Sequence, residues 1–423
     1  MIDLAWLSLA ALVLVIVLSC TTAVNPGFVS LALAWVIAIY LAPLSGRSFT
    51  IVEIVAGFPT DLFLTLVGVT LLFTLARDNG TLDQVVRAAL RSCRGNAGWI
   101  PIVFFVLSMS IASIGAGNIA AAALIAPLAM AVAERAGISP FLMTIMVGHG
   151  CIAGALSPIA PTGIIANGLM AHMGMSGFEG RNYLYNLMAN TLAAGMGYLV
   201  FGGWRLFGRN HDDPPLNQSA RGPDVTFTLR HWITLGTIAV FFVGVVGFRV
   251  HVGMGAIAAA VVLTLAKVTN EKRVILEIPW NVIVMVCGVT VLTALLEKTG
   301  GIDLFTTILT RFATYRSITG LIALTTGLVS VYSSTSGVVL PAFLPSVPGL
   351  VAKLGGGDPL AIASSILIGG HLVDVSPLST IGALCIASAP VTADRRLLFN
   401  QVLAWGLSMS VVGAVGCYLA FGR

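Results

Sequence analysis

The sequence predicts an all-α polytopic membrane protein built from two inverted repeats, each of five spanning helices plus one re-entrant hairpin. Three observations carry this prediction. Of the 423 residues, 57% are hydrophobic and only 9% charged, against about 25% charged in soluble domains. A soluble fold of this length has to clothe its surface in charge, and this chain cannot. Apolar stretches of roughly 20 residues, the length that crosses a bilayer core of about 30 Å, recur along the chain. Short motifs of the first half also recur in the second at a shared offset. These features exclude a cytosolic enzyme, a disordered chain and a small disulfide scaffold. The net charge of +5 does not indicate a nucleic-acid partner, because the basic residues sit mostly between apolar runs, where they fix orientation in the bilayer.

The spans fall near 4–23, 28–44, 61–76, 140–172, 182–207, 231–248, 251–268, 281–296, 359–389 and 397–421, with interruptions in 140–172 and 359–389. The first begins Met1-Ile2-Asp3 and lacks a basic n-region, so it is expected to be a mature helix rather than a signal peptide. The stretches 99–133 and 317–352 are too long for one helix and soft with Gly or Ser at their centres. They are read as hairpins that enter and leave on one side. One side then collects Arg77, Arg87, Arg91, Arg94, Arg135, Arg205, Arg209, Arg221, Arg230, Lys267, Lys272, Arg273, Arg395 and Arg396. The other holds Arg47, Arg181, Arg249, Lys298, Arg311, Arg316, Lys353 and Arg423. The excess marks the first side as cytoplasmic and puts both termini outside, although the cluster Lys298–Arg316 runs against the rule. The cysteines Cys20, Cys93, Cys151, Cys287, Cys385 and Cys417 are scattered without metal spacing and read as small buried hydrophobes.

The repeat shows in Gly68-Val69-Thr70 against Gly288-Val289-Thr290, in Asn79-Gly80-Thr81-Leu82-Asp83 against Thr299-Gly300-Gly301-Ile302-Asp303, in Arg91 against Arg311 and in Gly117 against Gly337. With the offset one shorter, Ser157-Pro158-Ile159 matches Ser376-Pro377-Leu378, and Gly163 matches Gly382. An odd number of crossings per half inverts the second half, as in many secondary transporters. Residues 1–207 form the first repeat and 231–423 the second. The polar stretch 208–230, with Asp212-Asp213-Pro214-Pro215, is a cytoplasmic linker without chemistry.

Four segments interrupt the helical pattern. Two are hairpin tips, Ser113-Ile114-Gly115-Ala116-Gly117-Asn118 and Ser333-Ser334-Thr335-Ser336-Gly337. Two are breaks in long spans, Ser157-Pro158-Ile159-Ala160-Pro161-Thr162-Gly163 and Ser376-Pro377-Leu378-Ser379-Thr380-Ile381-Gly382. Non-helical backbone at membrane depth survives only where protein or a watery cavity satisfies it. Freed carbonyls suit a hard cation such as Na⁺, and exposed helix N-termini suit a carboxylate. The candidates for substrate contact are Gly117, Asn118, Pro161, Thr162, Thr335, Ser336, Ser379 and Thr380. Those for an ion are Ser113, Gly115, Asn118, Ser157, Thr162, Ser333, Ser336, Ser376 and Thr380. The competing reading is helix packing by small residues and kinking by proline; four matching segments in both halves weigh against it. The run Ala120–Ala123 reads most simply as a packing face.

Few titratable groups lie inside the spans. Asp374 is the only acid deep in its span, and His149 and His371 precede the two breaks. Each is a candidate for proton coupling, with a satisfied packing residue as the alternative. Asp61 and Glu297 lie at span ends and are expected to be solvated. The sequence carries no HExxH, Walker A or GxSxG motif, so an enzyme is not expected, and an ion gradient is the simplest source of energy.

At the tips and breaks the chain resembles the ion transporter superfamily, which includes sodium-coupled dicarboxylate carriers. Those carriers have Ser-Asn-Thr at each tip followed by a helix of small residues. Here Gly117-Asn118-Ile119 runs to Pro127, and Thr335-Ser336-Gly337 runs to Pro345 with the same spacing. This register differs by two residues from the Gly117–Gly337 match. The family's Thr-Pro-Ile-Gly-Thr-Pro break is similar to Ser157–Thr162 and, more loosely, to Ser376–Ile381. Within the superfamily the chain is most similar to the MatC-type malonate and dicarboxylate carriers. The resemblance implies an elevator mechanism in the cytoplasmic (inner) membrane, a homodimer, and symport of Na⁺ with a dicarboxylate of the malonate or succinate class. Only one of the two family asparagines, Asn118, is present, and Ser336 stands at the other. The expected ligand sets of the two halves are therefore unequal. Proton coupling, Na⁺/H⁺ antiport, and service as the membrane subunit of a binding-protein-dependent carrier stay open as alternatives.

Overall fold

The computed structural model describes residues 3–22, 24–82, 84, 97–208, 227–248, 250–269, 271–390 and 392–422. Among these residues the structure is helical, with no strand. In the first half the long elements are α1 (Leu4–Thr21), α2 (Pro26–Ser45), α3 (Thr60–Asp78), α4 (Trp99–Ala116), α5 (Asn118–Arg135), α6 (Pro140–Ala155), α7 (Pro161–His172) and α8 (Glu179–Val200). The same order returns as α9 (Leu229–Phe248), α10 (Val252–Leu265), α11 (Trp280–Thr299), α12 (Ile318–Tyr332), α13 (Thr335–Leu354), α14 (Pro359–Leu372), α15 (Thr380–Ala387) and α16 (Arg395–Phe421). Many starts are written locally. Asp3, Asn25, Asp358 and Asp394 each accept a hydrogen bond from a backbone N–H of the helix they precede, and Pro26, Pro140, Pro161 and Pro359 follow at the first helical position, where a missing N–H costs nothing. Arm α13 is broken into π, α and 3₁₀ turns around Pro341, Pro345 and Pro348, because proline cannot donate inside a helix.

The chain is an all-α polytopic membrane protein. Eight helical stretches among the described residues are long and apolar enough to cross a membrane. The two long stretches break at their centres, at Gly115–Gly117 and at Ser333–Ser334. The first tip meets the first break, since a Cβ on Gly117 would lie 3.2 Å from the Pro161 ring. Both paired arms pack tightly on the broken helices. A Cβ on Gly150 would meet the Phe105 carbonyl at 2.5 Å, and one on Gly369 the Ala323 carbonyl at 2.4 Å. Only glycine allows such backbone approach.

The halves interlock. Helix α2 packs on α11, and α10 packs on α3. A Cβ on Gly288 would lie 2.3 Å from the Gly27 carbonyl, and one on Gly68 would lie 2.4 Å from the Gly253 carbonyl. The matched glycines of the sequence thus mark the same crossing made twice, each time between halves. The helix-capping residues repeat the pattern. Asn25 donates from Nδ2 to the Asn281 carbonyl at 2.8 Å, and His251 donates from Nε2 to Asp61 Oδ1 at 2.5 Å. Asp61 is exposed, as expected, and also pairs with His251. Gly80 and Gly300 both adopt positive φ, 77° and 83°, at the matching helix ends. Gly117 and Gly337 are not equivalent, however. Gly117 is a positive-φ turn, whereas Gly337 lies inside α13 against Met285.

Sequence reading missed three short helices, Ile51–Val55, Glu271–Glu277 and Gly301–Thr310. The first opens with a capping box in which Thr50 N–H donates to Glu53 at 2.7 Å; the hydrogen bonds from Thr50 hold that carboxyl below its usual range. Asp83, Cys93, Arg87, Arg91, Arg94, Arg249, Arg423 and residues 209–226 of the linker lie outside the described residues, as do the side chains of Cys20 and Lys272. Cys151, Cys287, Cys385 and Cys417 are free and buried, as expected.

Candidate functional site

The breaks are built alike. A Cβ on Gly163 would sit 1.9 Å from the Ser157 carbonyl, and one on Gly382 would sit 2.0 Å from the Ser376 carbonyl. Each chain therefore turns back over its own serine and restarts a helix. Their caps differ. Ser379 Oγ accepts from Gly382 N–H at 3.3 Å, while Ala160 offers α7 no side-chain cap. The N-terminus of α7 is thus left with donors to spare, and α15 is partly satisfied.

Between tips and breaks lies a cavity of about 360 Å³. It takes Asn118 and Ile119 from the first tip, Thr162 from the first break, Ser333 to Ser336 from the second tip, and Leu378 to Ile381 from the second break. Scaffold residues Ser19, Thr22, Asn25, Asn281 and Met285 close the other wall. Ser19 and Ser333 hydroxyls hydrogen-bond at 3.0 Å, so α1 touches the second tip directly. A second space of about 190 Å³ adjoins it and shares Asn118, Ile119, Thr162 and Ser336. At its rim Arg77 pairs with Glu277 at 2.9 Å. Among the described residues no Lys or Arg lines the larger cavity.

The structure sorts the expected residues. Asn118, Thr162, Ser333, Thr335, Ser336, Ser379, Thr380, Asp374 and His371 line the larger cavity. Gly117 and Pro161 line only the smaller one. Ser113, Gly115, Ser157 and Ser376 line neither. Ser113 donates to the Met109 carbonyl and meets Tyr183 Oη at 2.9 Å. Gly115 is covered by the Phe73 ring. Ser157 and Ser376 lie under the glycines that follow them, with Gly406 also over Ser376. Ala121 and Ala122 are buried, as a packing face requires, whereas Ala120 and Ala123 line the smaller space.

The two histidines part company. His149 donates from Nδ1 to Asn190 Oδ1 at 2.9 Å and accepts at Nε2 from Trp405 Nε1 at 2.9 Å. It is a satisfied packing residue away from the cavity. His371 donates from Nδ1 to the Leu367 carbonyl at 2.7 Å, and its buried Nε2 has no partner. Three residues on, Asp374 is held at Oδ1 by Thr335 Oγ1 at 2.5 Å and Ser330 Oγ at 3.4 Å. Ser330 and Thr335 hydroxyls also bond to each other. Ser330, Asn25 and Asn281 were not anticipated from the sequence. Asn25 carried a signal in the Asn-Pro that opens α2; Ser330 did not, as one more serine in an apolar helix.

Residues 2–155 match the sequence profile described as "Dicarboxylate carrier protein MatC N-terminus". Curated relatives include an uncharacterized transporter of Mycobacterium tuberculosis, found in two strains, 22% identical over 395 residues that cover 87% of this chain and 88% of the relative. Among solved structures, the YdaH transporter of Alcanivorax borkumensis superposes with a TM-score of 0.61 at 16% identity, covering 97% of this chain and 98% of that one. MtrF of Neisseria gonorrhoeae, from a class of antimetabolite efflux pumps, superposes with a TM-score of 0.57 at 13% identity, covering 97% and 94%. The fold is that of polytopic transporters, and the matches indicate a membrane transporter rather than an enzyme.

Proposed function

We propose that the chain is a secondary active transporter that carries a small dicarboxylate together with Na⁺ across the cytoplasmic membrane, working as a homodimer. The observation that supports it best is one cavity of about 360 Å³, at the small end of the roughly 300–1,000 Å³ usual for small-molecule sites, into which both tips and both breaks converge. Neutral oxygens of Thr162, Ser336, Ser379 and Thr380 and the amide of Asn118 supply contacts for carboxylate oxygens and for a hard cation alike. The uncapped N-terminus of α7 adds about half a positive charge. With no Lys or Arg among the described lining residues, a dianion needs accompanying cations, and Na⁺ is assigned that role as co-transported substrate. The match of residues 2–155 to a dicarboxylate carrier supports the substrate class.

The halves 1–207 and 231–423 are read as inverted repeats joined by 208–230. The reciprocal crossings of α2 on α11 and of α10 on α3 suit a frame against which the tips and breaks move in an elevator stroke. Thr22, Asn25, Pro26 and Asn281, at the level where α1 ends and α2 and α11 begin, line the cavity; with the basic side taken as inward, this supports reading the state as inward-facing.

Thermal unfolding of the purified chain, scanned over malonate, succinate and longer dicarboxylates with Na⁺ or choline at constant pH, tests the reading, because a ligand of the folded state raises its stability. Stabilisation by a dicarboxylate that requires Na⁺ is expected. Equal stabilisation in choline would remove sodium coupling. A second reading, proton coupling, is favoured by Asp374 and His371 on the cavity wall; uptake driven by a pH gradient without Na⁺ would establish it.

A further inference from the structure

A groove of about 490 Å³ runs between α8 and α16 and shares no lining residue with the transport cavity. Its walls are apolar, with Met188, Leu192 and Met196 on one side and Val412 and Gly416 on the other. Its floor is Ile368 and Leu372 of α14. Tyr185 and Phe421, the outermost lining residues on their helices, stack edge-on with centroids 5.3 Å apart, so the helices run antiparallel and this pair marks one end. From Tyr185 to Met196 is about 16 Å of helix, half of a hydrocarbon core of about 30 Å. The groove is therefore one leaflet long. Arg181 stands one turn beyond Tyr185, on the helix face that continues through Tyr185, Met188 and Leu192. It is exposed, with its guanidinium carbon 5.7 Å from the Phe178 ring centroid. Arg316 is exposed at the same end, where its carbonyl would lie 2.7 Å from a Cβ on Gly422, next to Phe421. Among the described residues neither arginine pairs with a carboxylate. On the sequence reading both belong to the less basic side of the membrane, where the charge bias gives them no orienting role.

We propose that this groove binds one anionic phospholipid of that leaflet, with an acyl chain lying between α8 and α16 and the phosphate at Arg181, and with Arg316 adding positive charge at the same end. The walls belong to helices of a membrane protein, so lipid chains rather than water reach them. A chain in the groove gains little from apolarity alone, since the bilayer is as apolar as leucine. Selectivity therefore falls to the shape of the groove and to the headgroup. A charge-assisted bond from guanidinium to phosphate supplies the second. A groove of one leaflet's length, with arginines at one end and none among its lining residues, matches a lipid whose headgroup stands at the interface. The occupant backs α14 through Ile368 and Leu372, while His371 and Asp374 beyond them line the transport cavity. A filled groove thus holds in place the helix that builds the cavity wall. The inference needs the membrane fold and not the identity of the substrate.

Native mass spectrometry of the full-length chain in detergent counts bound lipid and copies of the chain together. The probes are dioleoyl phosphatidylglycerol and dioleoylglycerol, which has the same chains and no phosphate. The wild type is expected to retain one phosphatidylglycerol per chain and to hold dioleoylglycerol about tenfold more weakly, as loss of a charge-assisted bond requires. Gly416→Phe places a ring in the groove, where nothing lies within 4 Å of a Cβ, and should lose that lipid. Arg181→Gln, at an exposed position, should weaken phosphatidylglycerol several-fold and leave dioleoylglycerol unchanged; it decides the matter if the groove variant does not fold. Thermal unfolding with the same two lipids should rank the variants in the same order. Unchanged phosphatidylglycerol binding in Arg181→Gln, or in a folded Gly416→Phe, would overturn the site. So would loss of dimers in Gly416→Phe with the lipid count unchanged, because a second copy would then be what covers the groove.

Discussion

Thr335 donates a 2.5 Å hydrogen bond to Asp374 Oδ1, tying the second hairpin tip to the helix that runs into the second break. Tip and break are far apart in sequence, and this bond, with Ser330 beside it, makes them one structural unit. A bond to a charged acceptor contributes roughly 1.5–3 kcal/mol. Thr335→Val is therefore expected to lower the initial rate of uptake in proteoliposomes about tenfold or more. Thr335→Ser, which restores the hydroxyl, should return most of it. Equal rates in the Val and Ser variants would show that the bond does not matter to transport.

Asn118 lies at the first tip and lines both spaces. Its Oδ1 accepts from Ile119 N–H at 3.0 Å. Asn118→Ala should reduce uptake at least about tenfold in protein that inserts normally, as expected for loss of a charge-assisted bond. Near-normal uptake would move the site away from this tip.

The break glycines make a sharper structural claim. Gly163→Ala and Gly382→Ala each force a methyl to within 2.0 Å of a serine carbonyl. Relief needs backbone movement, so each should cost more than about 2 kcal/mol in stability. Gly195, in α8, has nothing within 4 Å of its Cβ position, and Gly195→Ala should be neutral or stabilising by up to about 1 kcal/mol. Thermal unfolding of the three variants side by side decides it.

His149 and His371 should respond differently to substitution. His149→Leu leaves Asn190 Oδ1 and Trp405 Nε1 without their partner, a loss of about 1–3 kcal/mol. The Na⁺ concentration that gives half-maximal uptake should nevertheless stay as in the wild type. In His371→Leu that concentration should rise. A shift in the first variant and none in the second would reverse the roles drawn here for the two rings.

Gly137 joins α5 to α6, and Gly356 joins α13 to α14; both are open, with nothing within 4 Å of a Cβ. They occupy matching turns of the two halves. Gly137→Cys should react with a membrane-impermeant maleimide only from the cytoplasmic side, and Gly356→Cys only from outside. Labelling of both from one side would rule out inversion.

Much of the fold was legible because a bilayer imposes a length on every crossing and forbids unsatisfied backbone inside it. The ends of α3, α11 and α16 fall within a few residues of the apolar limits, and the Gly-Ser-Pro segments fall at the real tips and breaks. What sequence did not reveal was direction. Ser113 and Ser157 read like Thr162 and Ser336, yet Ser113 faces Tyr183, Ser157 lies beneath Gly163, and only Thr162 and Ser336 reach the cavity. Composition cannot tell which side of a turn a hydroxyl takes. The short helix Gly301–Thr310 was hidden by its own amphipathicity, being too short for a span and too apolar for a loop. The inequivalence of the two histidines was hidden because both simply precede a break, although His371 stands three residues, almost one helical turn, nearer its break than His149 does.

The crossings of Gly27 with Gly288 and of Gly68 with Gly253 carry a consequence for heredity and for manufacture of the chain. Each half offers a helix edge that fits the other half and a groove that the other half fills, so neither has its interface complete alone. A cut within 208–230 should therefore be repaired by assembly, with two separately translated fragments finding each other in the membrane. Growth supported by the two fragments together and by neither alone would show that the crossings suffice to assemble the chain.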